Sequence, residues 1–246
     1  MTKQIFPLAL GGLAIGTTEF IIMGLLPDVA KDLGVSIPIA GHLISAYAFG
    51  VVVGAPILVA LSSKFPPKNI LIVYMILFTL FNALSIVAPD YNTLLMSRFL
   101  AGLPHGAFFG VGTIVAIKLS KKGKEAQAVS SMFTGLTLAI LLLVPFLTYI
   151  GHNTSYKWAF LIVSLLGIFT ILALIKFMPK LKSLKTVTFK EEIEFFLTFK
   201  AWHIILIVAI GFGGLFAWFS YIAPLLINVS KFSPSSISYL MLVAGV

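Results

Sequence analysis

Seven apolar runs of about twenty residues each, followed by a shorter eighth, occupy most of this chain. They fall at Ile5 to Leu26, Ile39 to Ser63, Ile70 to Ala88, Tyr91 to Ile117, Ala126 to Ile150, Trp158 to Ile175, Trp202 to Val229 and Ser235 to Val246. A hydrocarbon layer about 30 Å thick needs about 20 helical residues to cross it. Transmembrane strands would be shorter and would alternate in polarity, so continuous apolar runs predict an all-α membrane protein. With 59% hydrophobic residues, 10% charged residues and a mean hydropathy of +1.08, the chain exceeds what one water-soluble core can hide. A soluble globular enzyme is excluded on that ground. The first run is too long for a cleaved signal, contains Glu19 and is followed by further spans. The chain has no cysteine, which removes disulfides, thiolate chemistry and cysteine-based metal sites. No Ser-His-Asp set, phosphate loop or metal-ligand spacing is visible, so neither enzyme chemistry nor a cofactor or metal is expected.

The loop charges predict an orientation. Thirteen lysines (Lys3, Lys64, Lys68, Lys118, Lys121, Lys122, Lys124, Lys176, Lys180, Lys182, Lys185, Lys190 and Lys200) fall on one side, and three (Lys31, Lys157 and Lys231) on the other. Lysine accumulates on the cytoplasmic face, which predicts a cytoplasmic N-terminus and a multi-pass protein of the inner (plasma) membrane. Asp28, Asp32 and Asp90 fall outside, so the net charge of +9 follows from topology and needs no nucleic-acid partner. The connection from Phe177 to Ala201 is the longest and most polar, and forms the one candidate domain boundary. In it Phe189, Ile193 and Phe196 recur at helical spacing, as a helix lying on the cytoplasmic membrane surface would require; a solvated linker is the alternative. The last run stops at Val246 after twelve residues, too few to cross, so the chain is expected to belong to a longer protein.

Charge inside the bilayer is costly, which singles out Glu19 and Arg98. Glu19 lies seven residues before Leu26 and Arg98 seven after Tyr91, which places both ~10 Å below the outer surface. Equal depth permits pairing. Two readings stand: a static ion pair tying two helices, or a carboxylate that titrates in a cavity as a proton-coupling site. His105 is seven residues after Arg98 and returns to nearly the same face, as a proton or substrate group or as a packing histidine beside Pro104. Ala46, Gly50 and Gly54 in the second run, and Gly102, Gly106 and Gly110 in the fourth, are small-residue stripes that let helices approach closely. In the seventh run, Gly211, Gly213 and Gly214 precede Phe216, Trp218, Phe219, Tyr221 and Pro224. That order fits either a bendable helix lining a cavity or an aromatic belt at the outer interface.

Thr17-Thr18-Glu19-Phe20, Gly24-Leu25-Leu26-Pro27-Asp28-Val29-Ala30, Ala40-Gly41-His42 with Gly50-Val51-Val52-Val53-Gly54-Ala55-Pro56, Pro104-His105-Gly106-Ala107-Phe108-Phe109-Gly110-Val111-Gly112, and Phe216-Ala217-Trp218-Phe219-Ser220-Tyr221 form a joint pattern. Together these stretches resemble the major facilitator superfamily, and within it the drug:proton antiporter branch. The resemblance implies twelve helices in two halves of inverted three-helix repeats, with the first, fourth and seventh lining a cavity. Residues 1–178 would then form the N-terminal six-helix half, 179–201 the interdomain loop, and 202–246 the start of a C-terminal half whose remainder function requires. Arg98 with Gly102 matches the fourth-helix motif, whose arginine is associated with proton coupling, and Glu19 occupies the equivalent first helix. The implied proton-coupling set is Glu19, Arg98 and His105. The implied cavity residues are Phe20, Met23, Phe109, Phe216, Trp218 and Tyr221. In the gating loop the family's Asp-Arg pair is replaced by Ser63-Lys64-Phe65-Pro66-Pro67-Lys68, which keeps Lys64 and Lys68 but not the aspartate. The fifth-helix Gly-Pro motif is reduced to Gly135, Ala139 and a displaced Pro145. The resemblance implies a secondary transporter whose partners are a small-molecule substrate, protons and the lipid bilayer. Proton-coupled efflux of a sugar or drug leads; an importer or symporter of the same fold, and a non-transporting receptor or scaffold, are the rivals.

Overall fold

The computed structural model describes residues 3–62, 65–182, 194 and 197–245, and among these there are helices and turns but no strand. Among the described residues seven helices are long and apolar enough to cross a membrane, and the chain is a multi-pass membrane protein. They are α1 (Phe6–Asp32), α2 (Ile37–Ser62), α3 (Pro67–Val87), α4 (Tyr91–Leu119), α5 (Glu125–Asn153), α6 (Tyr156–Phe177) and α7 (Phe199–Ser220). A shorter helix, α8 (Ile237–Gly245), follows. The segment around Phe189, Ile193 and Phe196, where a surface helix is expected, lies outside the described residues, as do Ser63 and Lys64.

Local chemistry sets the helix ends. Asp90 caps α4 by accepting the Thr93 amide at 2.9 Å, and this bond holds the Asp90 carboxyl below the usual carboxylate range. Ser155 and Thr198 cap α6 and α7 by accepting the amides of Lys157 and Ala201. At the end of α1, Gly34 takes φ +63°, and the amides of Gly34 and Val35 return to the carbonyls of Lys31 and Ala30. Lys68 closes the far end of α6: its Nζ donates to the carbonyls of Ile175 at 2.7 Å and Met178 at 2.6 Å, satisfying terminal acceptors of that helix.

Two prolines reshape long helices. Within α5 the turn Ala139–Leu143 widens to a π-helix immediately before Pro145, which cannot donate to the carbonyl of Leu141. The run Trp202 to Val229, expected as one helix, instead breaks after Ser220: Tyr221 leaves helical geometry at φ −113° and ψ 20°, and a short turn Ile222–Pro224 leads into a π-helical Leu225–Val229. The ring of Pro224 would strike the carbonyl of Ser220, four residues earlier, in an unbroken helix.

α1 is buried along most of its length and packs against α5 and α6. Around it α2 packs on α4, and α3 on both α4 and α6. The two small-residue stripes meet face to face. A Cβ on Gly50 or Gly54 would overlap the carbonyls of Phe99 or Leu103 of α4, and one on Gly102 would overlap the carbonyl of Tyr47 of α2. With no hydrophobic effect to drive helices together in lipid, such backbone approach supplies the contact energy. Gly102→Val should therefore push α2 from α4 and cost about 1 to 3 kcal/mol or more. Gly110→Ala is the control, because its nearest neighbour, Val59 Cγ2, would sit an ordinary 3.7 Å away. Thermal unfolding in detergent should show a clear fall for the first variant and none for the second.

α7 lies at the periphery with most of its residues exposed. Its end and α8 dock back on α1: Phe219, Ile222, Ala223, Ile237 and Met241 form one buried cluster with Phe20, Met23 and Val144. This docking encloses the site described next.

Candidate functional site: an aromatic cavity with one carboxylate

A cavity of about 500 Å³ opens between α1, α2, α4, α5 and α7. α1 contributes Glu19 and Phe20, α2 Val51, and α4 His105, Gly106 and Phe109. α5 contributes Phe133, Leu136 and Ile140, and α7 contributes Phe212, Leu215, Phe216, Trp218 and Phe219. The rings are ordered against one another. Phe109 stacks on Phe133 with centroids 5.0 Å apart and planes 13° apart; Phe20 meets Phe216 at 5.7 Å and Phe219 edge-on at 5.6 Å. Glu19 and His105 are the two titratable side chains in this wall.

Behind the wall sits Arg98, whose side chain is fully buried. Its Nη1 donates to Thr18 Oγ1 and its Nη2 to the Thr18 carbonyl, both at 2.9 Å. The Thr18 hydroxyl donates onward to Asn82 Oδ1 at 2.5 Å, and Asn82 Nδ2 donates to the Phe78 carbonyl at 2.8 Å. The guanidinium carbon lies 4.4 Å from the Tyr47 ring centre and 5.6 Å from that of Phe160, a cation held between two π faces.

The ion pair allowed by the equal depth of Glu19 and Arg98 is not formed. Among the described residues the one close contact between an acidic and a basic side chain is Asp28 with His152, 2.9 Å apart on α1 and α5. Equal depth leaves rotation open: successive residues of a helix point about 100° apart, so when Thr18 faces Arg98, Glu19 faces the cavity. His105 lies in the same wall, with Nδ1 2.9 Å from the Tyr47 hydroxyl.

The other expected positions divide. Phe20, Phe109, Phe216 and Trp218 stand in the cavity wall. Met23 does not; it is 1% exposed and packs with Val144 and Met241 one turn beyond. Tyr221 does not either: the helix break turns it away, and its hydroxyl abuts Gly41 of α2. Lys68 closes α6, as described, while Ser63 and Lys64 lie outside the described residues. Sequence reasoning missed Phe133, Leu136 and Ile140, although their spacing of three and four places them on one face of α5. It also missed Phe212 and Leu215, which with Phe216 and Phe219 form a stripe at i, i+3, i+4 and i+7. Thr18, Tyr47 and Asn82 gave no such signal, because single polar residues in apolar helices do not reveal their partners.

Comparison with known proteins places this architecture. Residues 8–246 match the model of the Major Facilitator Superfamily. The chain is 39% identical over 245 residues to AraJ of Escherichia coli (strain K12), covering 100% of this chain and 62% of AraJ. It is 41% identical over 239 residues to the inner membrane transport protein YdhP of the same strain, covering 97% and 61%. It is 30% identical over 244 residues to a "Probable sugar efflux transporter" of Helicobacter pylori (strain ATCC 700392 / 26695), covering 98% and 62%. The chain thus spans about three fifths of the length of these relatives. Among solved structures, a bacterial homologue of the human lysosomal transporter Spinster, inward-facing and occupied, superposes with a TM-score of 0.78 at 15% identity, over 98% of this chain and 58% of that one. The helical bundle, the glycine-mediated approach of α2 to α4 and the match along almost the whole chain lead to one assignment: the protein belongs to the Major Facilitator Superfamily.

Proposed function

We propose that the chain forms the first part of a proton-coupled secondary transporter that exports a small organic compound, a sugar or a drug, with Glu19 as the group that carries the proton. The observation that carries this reading is the cavity itself. A single carboxylate faces a space lined otherwise by aromatic and aliphatic groups and by His105, while the nearby arginine makes its hydrogen bonds to Thr18 rather than to Glu19. A carboxylate so placed alternates between a charged form that binds a proton and a neutral form that tolerates an apolar neighbour. Residues 1–178 would form one rocking half and residues 202–246 the beginning of the other. Export is supported by the name of the Helicobacter pylori relative, and inner-membrane residence by that of YdhP.

The test uses proteoliposomes carrying the whole transporter that contains this chain, loaded with a pH-sensitive dye and challenged with a panel of sugars and lipophilic drugs. At least one compound should move protons opposite to its own flux. Compounds that move without any proton movement would overturn the coupling.

The proposed orientation has its own check, since the chain has no cysteine to interfere. The lysine asymmetry puts the connection between α4 and α5 in the cytoplasm and that between α5 and α6 outside. In intact cells an impermeant thiol reagent should label Thr154→Cys and spare Ser120→Cys until the membrane is permeabilised. The reverse pattern would invert the topology.

A further inference from the structure

The cavity holds two titratable wall groups, and the second is held in place from behind. His105 turns Nδ1 toward the Tyr47 hydroxyl at 2.9 Å, while its Nε2 has no hydrogen bond among the described residues and its ring lines the cavity beside Phe109. Tyr47 is 3% exposed, and no second partner for its hydroxyl exists among the described residues. That decides the direction of the bond. If His105 donated from Nδ1, the phenolic hydrogen would be buried with no acceptor, an arrangement that proteins avoid. If Tyr47 donates, every buried group of the pair is satisfied. The Arg98 guanidinium, 4.4 Å from the centre of the same ring, draws electron density from the phenol and strengthens it as a donor.

We propose that Tyr47 is a positioning residue: it holds His105 as the Nε2–H tautomer, so that this histidine presents a neutral N–H donor to the cavity in addition to the Glu19 carboxylate. The tautomer of a histidine is set by the bond that its other nitrogen makes. The cargo class follows from that wall: a compound with an apolar or aromatic body that carries an uncharged acceptor, such as a carbonyl, ether or hydroxyl oxygen. This deepens the proposed function and rests on reading the cavity as the cargo path, but the measurements below read the chain itself. Failure of transport would leave them standing, and their failure would leave transport standing.

The chain is prepared with [15N]histidine in detergent, and the His105 signals are assigned by their loss in His105→Gln. Two-bond nitrogen–proton correlations should show the Nε2–H tautomer in the unmodified chain. Tyr47→Phe keeps the ring beside Arg98 and removes the hydroxyl, so both tautomers should appear. Diethyl pyrocarbonate gives an independent reading, because it acylates the imidazole nitrogen that carries a lone pair. In the unmodified chain that nitrogen is Nδ1, occupied by Tyr47, and His105 should react slowly. In Tyr47→Phe the lone pair at Nε2 becomes available to the cavity, and modification of His105, followed by mass spectrometry, should accelerate about fivefold or more. An Nδ1–H tautomer in the unmodified chain would overturn the proposal, and so would a Tyr47→Phe chain with unchanged tautomer and reactivity. Should Tyr47→Phe fail to fold, the spectrum of the unmodified chain decides alone.

Discussion

Glu19→Gln in the complete transporter should give a protein that inserts and unfolds like the parent but in which pH-driven uphill transport falls to background. The amide keeps the size and shape of the carboxyl group but cannot gain and lose a proton, so cargo movement no longer carries a proton with it. Stability is the informative control. If Glu19 were the buried partner of Arg98, removing its charge would strand the arginine at a cost of about 3 to 5 kcal/mol. Arg98 makes its hydrogen bonds to Thr18, and Glu19, which faces the cavity, acts on it only through a Coulombic attraction without direct contact, so the change should cost well below that figure. Detergent thermal unfolding measures the first quantity and vesicle flux under an imposed pH gradient the second. Retained coupling would remove Glu19 from the mechanism. Collapse of the protein would restore the ion pair.

How far the sequence reaches depends on which kind of information a residue carries. The spans were legible because lipid demands that each crossing satisfy its own backbone, and twenty apolar residues are the direct record of that demand. The contact between α2 and α4 was legible as well: Gly50, Gly54 and Gly102 are small because a backbone carbonyl occupies the space a side chain would need. Depth could be counted for Glu19 and Arg98, but azimuth could not, and one residue of helical rotation decides whether Arg98 meets Glu19 or Thr18. The seventh run shows the same limit. Pro224 was visible, yet an apolar run is continuous in composition whether or not its helix bends, so Tyr221 was counted among cavity residues and stands outside them. The α5 wall was overlooked for a different reason: Phe133, Leu136 and Ile140 are ordinary residues for a lipid-facing helix, and only the packing of α5 against α1 distinguishes their face.

Thr18→Val should destabilise the chain by about 3 kcal/mol, more than any single change in the cavity wall, because one hydroxyl serves two buried partners. Thr18 Oγ1 accepts from Arg98 Nη1 and donates to Asn82 Oδ1, and all three residues are fully buried. Valine has nearly the shape of threonine, so packing is preserved and the loss reads the hydrogen bonds alone. A charged donor and an amide oxygen are then left in a medium that offers no water to replace the hydroxyl. Arg98 is poorly placed to absorb the loss, since its Nε already lacks a partner. Thr18→Ser keeps the hydroxyl and should recover all but about 1 kcal/mol. The second half of the cycle separates electrostatics from shape. In Arg98→Met the charge is gone and an apolar chain fills the gap between Tyr47 and Phe160, so adding Thr18→Val to that background no longer strands a cation and should cost much less than it does alone. Unfolding midpoints of the four proteins in one detergent give the coupling energy. Additive losses would mean that Thr18 and Arg98 act independently, and the buried network would then be contact without consequence for stability.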